Sequence, residues 1–271
     1  MDSNKLSYML DLLDDDSQEV RDEIIKQLST YGLHLEIDLK EFSELMNEQK
    51  QILLSPILEE NRRNWLEQNW VNVLETSDTI DKIEIAMDLI SKFQYGLDDT
   101  RELADKLDGI ADVFRNKIPY GDEIDLATFL FQEIGIKGDQ ENYYNPLNSN
   151  AIFALTEKKG NPITLCLIYA FIGDRLGFNI AGCNFPGHFL AKVINEDEHY
   201  LVDCFNGGKI IYESDVSELA KGSEDSIAHI ISEIPTAATI IKRILSNLSN
   251  SYSKINHLEN KELFARLGKT L

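Results

Sequence analysis

The stretch GNPITLCLIYAFIGDRLG, Gly160–Gly177, decides the fold of this chain. Asn161 is a typical N-cap residue, and Pro162 suits the first helical position because the N–H that it lacks would have no partner there. Between this cap and Gly177, which ends the helix, apolar residues cover nearly every side. A helix of that kind has no polar face to present to water, so we expect it to be buried on all sides.

Strand signals follow the helix directly. The loop NEDE (195–198) makes a hairpin of the second and third of four short apolar runs. The runs are FNIAGC (178–183), HFLAKVI (188–194), HYLVDCF (199–205) and KIIY (209–212). A buried helix followed by an antiparallel sheet predicts an α+β core.

The expected hairpin register brings two titratable side chains to one face of the sheet. If Ile194 pairs with His199, then Leu190 pairs with Asp203, and His188 pairs with Phe205 at the start of its strand. His188 and Asp203 are then diagonal neighbours, about 7–8 Å apart at Cα, close enough for a hydrogen bond between their side chains. A slip of one residue would send them to opposite faces.

Helical patterns fill the rest of the chain and suggest three regions. Residues 1–134 read as a helical array, residues 135–234 as the α+β core, and residues 235–271 as a C-terminal helical pair. The first of these regions carries stripes such as Ile80, Ile83, Met87 and Ile90, whose simplest explanation is packing of helix on helix.

Composition narrows the classes of function. The formal net charge of −21 repels phosphate backbones and anionic lipids, so we expect neither nucleic-acid nor membrane binding. Three cysteines, an odd number, fit a reducing compartment. The first residues carry no signal-peptide pattern, and we therefore expect a cytoplasmic protein.

Four motifs follow one another along the chain: YYNPLNS (143–149), KGNPITL (159–165), NFPGHFL (184–190) and VDCFNGG (202–208). In this order they resemble the transglutaminase-like (papain-like) core, and most closely its SirB-type branch. The resemblance spans about residues 75–255 and includes a tail similar to tetratricopeptide-type helices.

The resemblance implies a catalytic arrangement that this sequence only partly matches. His188 and Asp203 match the family's general base and its orienting acid. In the active enzymes a cysteine begins the buried helix, and here that position is Pro162, as in the SirB-type branch generally. The resemblance also places a group of side chains near the site, which we expect to line a cleft: Tyr143, Tyr144, Asn148, Asn161, Pro162, Asn184 and Asn206.

Cys166 is the one candidate for a replacement nucleophile. It lies one helical turn after Pro162 and therefore on the same face of the helix. The alternative is that it is a small buried hydrophobic residue, as most free cysteines are. His188 is in the same way either part of a binding site or a hydrogen-bonded core histidine. Cys183, Cys204 and His188 fit no known spacing of zinc ligands, so we expect neither a metal nor a cofactor.

Two functions follow as expectations. The first is a non-catalytic or altered-chemistry member of the superfamily, a pseudoenzyme that acts as a protein-interaction or regulatory module and binds protein partners. The second is a cysteine-dependent acyl-transfer enzyme, of protease or transglutaminase type, that uses Cys166, His188 and Asp203. The proline at position 162 favours the first. The sequence gives no substrate and no oligomeric state.

Overall fold

The computed structural model describes residues 3–97, 102–185, 188–194, 199–212 and 233–271. Two compact units emerge, one formed by Met1–Val71 with Lys92–Thr100 and the other by Asn72–Ser91 with Arg101–Leu271. The division into residues 1–134, 135–234 and 235–271 as separately folding regions stays a prediction.

The first unit is built from helices around its own apolar core. Leu10, Leu13, Leu28, Leu35 and Leu54 are fully buried there. Buried Glu36 accepts hydrogen bonds from the Arg62 guanidinium and, at 3.2 Å, from the backbone N–H of Leu97. The helices are α1 (Ser3–Asp11), α2 (Gln18–Ser29), α3 (His34–Asp38), the 3₁₀ helix Leu39–Leu45 and α4 (Glu48–Asn69).

The second unit combines helices with two small sheets. Its helices are α5 (Val71–Glu75), α6 (Ile80–Tyr95), α7 (Leu103–Lys117), α8 (Glu123–Thr128) with the π-helical turn Phe129–Glu133, the 3₁₀ helix Pro146–Ser149, α9 (Ala151–Glu157), α10 (Pro162–Leu176), α11 (Ala237–Lys254) and α12 (Leu258–Leu267). Its strands are β1 (Lys137–Gly138), β2 (Lys159–Gly160), β3 (Ile180–Cys183), β4 (Leu190–Ile194), β5 (His199–Asp203) and β6 (Lys209–Tyr212).

Helix α10 is the centre of this unit, as its sequence predicts. Every residue from Ile163 to Gly173 is buried. The Tyr169 hydroxyl, deep in the core, donates a 2.7 Å hydrogen bond to the backbone oxygen of Glu123. Gly177 ends the helix with φ +82°, a left-handed conformation in which a glycine has no Cβ to clash. The prediction of an α+β fold around a buried helix is confirmed.

An ion-pair network holds the far end of α10. The Arg175 guanidinium donates to Glu84 of α6 at 2.7 and 2.9 Å, and to Asp108 of α7 at 2.5 Å. Because the planar guanidinium binds two carboxylates from two helices, it fixes the direction in which α10 leaves the core.

The main sheet is antiparallel in the order β3-β4-β5-β6. The predicted hairpin register is confirmed, since Ile194 pairs with His199 and Ala191 with Val202. One detail is wrong: β4 begins at Leu190, so His188 precedes the strand instead of opening it. The backbone N–H of His188 donates to the Phe185 oxygen at 3.0 Å, ahead of the strand. The loop 195–198 lies outside the described residues.

The C-terminal residues form the predicted helical pair, α11 and α12. Tyr252 of α11 stacks on Phe264 of α12 with 5.5 Å between ring centroids. In the ranges that the structure describes, no helix is both long and apolar enough to cross a membrane.

Candidate functional site

The start of α10 is a closed hydrogen-bonded corner. The side-chain oxygen of Asn161 accepts the N–H of Thr164 at 2.9 Å, which is the expected N-cap. The Asn161 amide group donates to the Ser149 hydroxyl at 2.8 Å, and its backbone N–H donates to the Asn148 oxygen at 3.0 Å. The two bonds to Asn148 and Ser149 fix the helix start against the preceding segment, with Pro162 at the first helical position.

The buried side chain of Asn148 forms hydrogen bonds to the backbone of the loop that precedes α9. Asn148 is 1% exposed, and its amide group donates to the backbone oxygens of Asn142 and Tyr143 at 2.8 and 3.3 Å. The buried carboxylate of Asp139 accepts the Asn142 N–H at 3.0 Å. Because every one of these bonds ends on the loop's own backbone, the loop is shaped before any ligand arrives.

Two tyrosines project from this loop into solvent. Tyr143 and Tyr144 are 47% and 51% exposed, and their rings meet edge to face at 5.3 Å. The Tyr143 ring also contacts Phe205, which follows β5, at 6.1 Å. Phe205 lies over Gly138, where a Cβ would come within 2.4 Å of the ring. The pair of tyrosines therefore packs, through Tyr143, on Phe205 after the end of β5.

Cys166 faces the interior. It is fully buried, and its Sγ donates to the Leu190 backbone oxygen at 3.4 Å. It lies against the other two cysteines, which are also buried free thiols. Burial raises the pKa of Cys183 to about 11, and burial, together with a hydrogen bond from its own thiol to Cys166, raises the pKa of Cys204 above its ordinary value. Burial thus disfavours the thiolate form of Cys183 and of Cys204.

His188 lies on the outside of the site. It is exposed, and its ring makes no hydrogen bond or ion pair with any residue that the structure describes. Its backbone, by contrast, is held: Nη2 of Arg243 donates to the His188 oxygen at 3.2 Å, and Nη1 donates to Asn184 Oδ1 at 2.8 Å. The Arg243 guanidinium also lies 5.1 Å from the centre of the Phe189 ring.

Asp203 is bound to its own turn. Its carboxylate, 9% exposed, accepts the backbone N–H of Asn206 at 3.1 Å and the Asn206 amide group at 2.8 Å. No hydrogen bond joins this carboxylate to His188 among the described residues. The three residues of the predicted triad therefore have separate hydrogen-bond partners. Cys166 is bonded to Leu190, Asp203 to Asn206, and the His188 backbone to Arg243.

Metal-ligating side chains are not clustered in the part of the chain that the structure describes. No group of three or more histidine, cysteine, aspartate or glutamate side chains in the described ranges could hold a metal ion. What the arrangement offers is an exposed imidazole, two exposed phenols and a rigid polar loop.

Sequence reasoning missed Arg243. It lies on α11, and its two hydrogen-bond partners, Asn184 and His188, are 59 and 55 residues away along the chain. In the sequence Arg243 is one basic residue of an amphipathic helix, with nothing to mark it. Helix α11 therefore contributes directly to the site through Arg243.

Known proteins with similar sequences share this part of the chain. A family model described as "Transglutaminase-like superfamily" matches residues 101–246, more than half of the chain. A UPF0162 protein of Xylella fastidiosa (strain 9a5c) is 35% identical over 135 residues, 47% of this chain and 48% of that protein. F-box only protein 21 of Mus musculus is 28% identical over 130 residues, 44% of this chain and 20% of that protein.

The chain thus spans only about half the length of the first curated relatives that it matches. No solved structure gives a significant match. The family model covers α7 to the first half of α11, and so includes the buried helix, the sheet, His188 and Asp203. By this match the chain belongs to the transglutaminase-like superfamily.

Proposed function

We propose that this chain is a non-catalytic or altered-chemistry member of the superfamily, close to its SirB-type branch, that works as a protein-interaction or regulatory module. One observation carries the proposal. The position at which active relatives carry their cysteine is Pro162, and the nearest thiol, Cys166, is fully buried and bonded to a backbone oxygen.

The chemistry of thiols supports this reading. A nucleophilic cysteine needs its thiolate, and it gains it at a helix N-terminus or beside a cation, in a partly exposed place. Cys166 lies one turn inside α10 with 0% exposure. A substrate carbonyl could reach its sulfur only if α10 and β4, which carries Leu190, moved apart.

The bonding of the other two candidate residues supports it as well. A general base needs a partner that holds its ring in one tautomer. Asp203 directs both carboxylate oxygens to Asn206, and the exposed His188 ring has no such bond to the described residues. An exposed imidazole suits contact with a partner better than proton transfer inside a closed site.

The proposal also includes the cellular compartment, the type of the helical pair and the residues of the recognition surface. Three buried free thiols are compatible with a reducing compartment, and we place the protein in the cytoplasm on that ground. We assign the helical pair α11–α12 to the tetratricopeptide type because of its resemblance in sequence and its antiparallel packing. Tyr143, Tyr144, Asn184 and Asn206 belong in this proposal to the recognition surface.

Thiol alkylation tests the proposal. Native protein is treated with iodoacetamide at pH 7.5, and labelled cysteines are identified by mass spectrometry. We expect negligible labelling of Cys166 in the native state and full labelling of all three cysteines in urea. His188→Ala should leave the native labelling rate unchanged, because the ring does not activate the thiol.

A reactive Cys166 in the native protein would contradict the proposal. Fast, selective labelling of Cys166 that disappears in His188→Ala would overturn the non-catalytic proposal and favour a cysteine-dependent acyl-transfer enzyme of protease or transglutaminase type. A Cys166→Ala variant is the control, because it must abolish any label assigned to that residue.

A further inference from the structure

Arg243 of α11 differs from other anchored arginines of this chain in what its guanidinium binds. Arg62 and Arg175 each bind a carboxylate. Arg243 donates instead to two uncharged oxygens, Asn184 Oδ1 at 2.8 Å and the His188 backbone oxygen at 3.2 Å, and no carboxylate in the described ranges pairs with it. The chain has 47 acidic residues, so a partly exposed guanidinium without an acidic partner is unusual here, and its charge is available to an outside anion.

Several hydrogen-bond donors around this guanidinium are also available. A guanidinium has five N–H donors, and the two bonds described above use two of those on Arg243. Because Asn184 presents its Oδ1 to the arginine, the two N–H donors of its amide group are not used in that contact. The remaining donors of both side chains have no partner among the residues that the structure describes.

The guanidinium of Arg243 is held in place before any partner arrives. Its central carbon, Cζ, lies 5.1 Å from the centre of the Phe189 ring. That ring is buried, and it lies so close to Gly182 that a Cβ there would come within 2.6 Å of it. Because the ring and two hydrogen bonds fix the guanidinium, little conformational entropy is lost when an anion binds.

Helix α11, which carries Arg243, adds no negative charge of its own. Its 18 residues include three basic side chains and neither aspartate nor glutamate. Asp78 accepts the backbone N–H of Ala238 at 3.0 Å, but Ala238 lies in the first turn, more than one helical turn before Arg243. The helix that presents the guanidinium therefore does not repel an approaching anion.

We propose that Arg243 and Asn184 form a binding site for a carboxylate of a protein partner, either a C-terminal carboxylate or that of a glutamate or aspartate side chain. The planar guanidinium matches the two oxygens of a carboxylate, and the Asn184 amide group adds a donor beside it. Long nucleic acids are disfavoured, because they would also face the surrounding field of a chain with net charge −21.

This inference names the chemical group that the proposed interaction module recognises, and its biological meaning rests on that proposal. The two fail separately. A reactive Cys166 would refute the non-catalytic proposal and leave the carboxylate site as it is. Absence of carboxylate binding at Arg243 would refute the site and leave the result of thiol alkylation unchanged.

The test follows the Nε–H signal of Arg243 in the NMR spectrum of the ¹⁵N-labelled full chain while short peptides are added. Acetylated triglycine offers a C-terminal carboxylate, and its C-terminal amide is the neutral control. An amidated peptide with one central glutamate offers a side-chain carboxylate. We expect both carboxylate peptides to shift the signal, with saturation in the millimolar range because one such contact is only the anchor of a larger interface.

The decisive variant is Asn184→Asp, which keeps the oxygen that accepts from Arg243 but places a carboxylate of the chain itself on the guanidinium. It should weaken peptide binding about tenfold or more. Its matched control is Lys242→Gln, an exposed lysine on the same helix, which changes the net charge by the same one unit and should stay within about twofold. Melting temperatures establish that both variants are folded.

The peptides also distinguish the two sources of the carboxylate. Tighter binding of triglycine assigns a C-terminus, and tighter binding of the glutamate peptide assigns a side chain. Three results would overturn the inference: no shift of the Arg243 signal up to about 50 mM peptide, equal binding of the neutral amide, or equal weakening by Asn184→Asp and Lys242→Gln. The last of these would mean that only the net charge matters.

Discussion

The two sides of the candidate site differ in where their hydrogen bonds go. On the helix side, Asn161, Thr164 and Cys166 are buried. The Asn161 side chain, the Thr164 N–H and the Cys166 thiol make hydrogen bonds to neighbouring groups, whereas the Thr164 hydroxyl has no partner among the described residues. On the loop side, His188, Tyr143 and Tyr144 expose their rings and are held by backbone and ring contacts alone. The helix side is thus closed by its own hydrogen bonds, whereas the loop side presents its rings to solvent.

The largest effect on stability should come from the helix side. Asn161→Ala removes the N-cap of α10 and leaves the Ser149 hydroxyl and the Thr164 N–H without their partners. The free energy of unfolding should fall by about 2–4 kcal/mol, as a lost cap and two unpaired buried groups imply. Urea unfolding measures it, with Asn145→Ala, a cap of the short 3₁₀ helix, as the comparison. A loss below about 1 kcal/mol would mean that the corner is not structural.

Alkaline pH should destabilise the core through the buried thiol of Cys183 in β3. Burial holds the pKa of Cys183 near 11, above the ordinary thiol value of 9.0. Below pH 9 the thiol is neutral in both states and the protein keeps its full stability. As the pH rises from 9 towards 11, the unfolded chain ionises first, so stability falls, by up to about 2 kcal/mol from this group.

Urea unfolding at pH 7.5, 9 and 10.5 measures this loss. The pKa of Cys204 and of Tyr169 is raised by burial as well, so both groups act in the same direction. Cys183→Ala should reduce the slope between pH 9 and 10.5. A slope equal to that of the unchanged protein would contradict the assignment to Cys183.

An intermediate effect should follow from loosening the loop side. Arg243→Met removes two hydrogen bonds to the His188 loop but keeps an apolar stem over Phe189, and it should cost roughly 1–2 kcal/mol. The specific readout is the ring Hε1 resonance of His188 in the NMR spectrum. It should shift or broaden, because the backbone that carries the ring is no longer held.

Two controls define the Arg243 experiment. Arg243→Lys retains the charge but not the paired geometry, so it should restore stability only in part. Lys242→Met removes a neighbouring cation that does not reach the loop, and it should leave the His188 resonance unchanged. A His188 signal that is identical in Arg243→Met and the unchanged protein would show that the arginine does not position this residue.

The smallest effect should come from the ring of His188 itself. His188→Ala should change the free energy of unfolding by no more than about 0.5 kcal/mol, the range for exposed side chains without bonds to the described residues. Thermal and urea unfolding together measure it. A loss above about 1 kcal/mol would place the ring in the interior network and weaken the contrast between the two sides.

Local patterns predicted much of this structure. The all-round apolar stretch after Asn161–Pro162 predicts a buried helix, because only burial removes so much apolar surface from water. Alternation along the strands, with the NEDE loop, predicted the register of Ile194 with His199. His188 was placed in the strand wrongly, since the pattern cannot show where the chain turns before pairing begins.

The sequence by itself determined the order of the elements, the cap and burial of α10, the hairpin and a proline at position 162, where the resemblance places the family's nucleophile. These depend on residues within a few positions of one another. Only the tertiary structure decided the bond from Cys166 to Leu190, the hold of Arg243 on the His188 loop, and the approach of Lys254 to Tyr144. Each of these contacts joins residues 24 to 110 positions apart, and no local periodicity encodes which distant side chains meet once the core has closed.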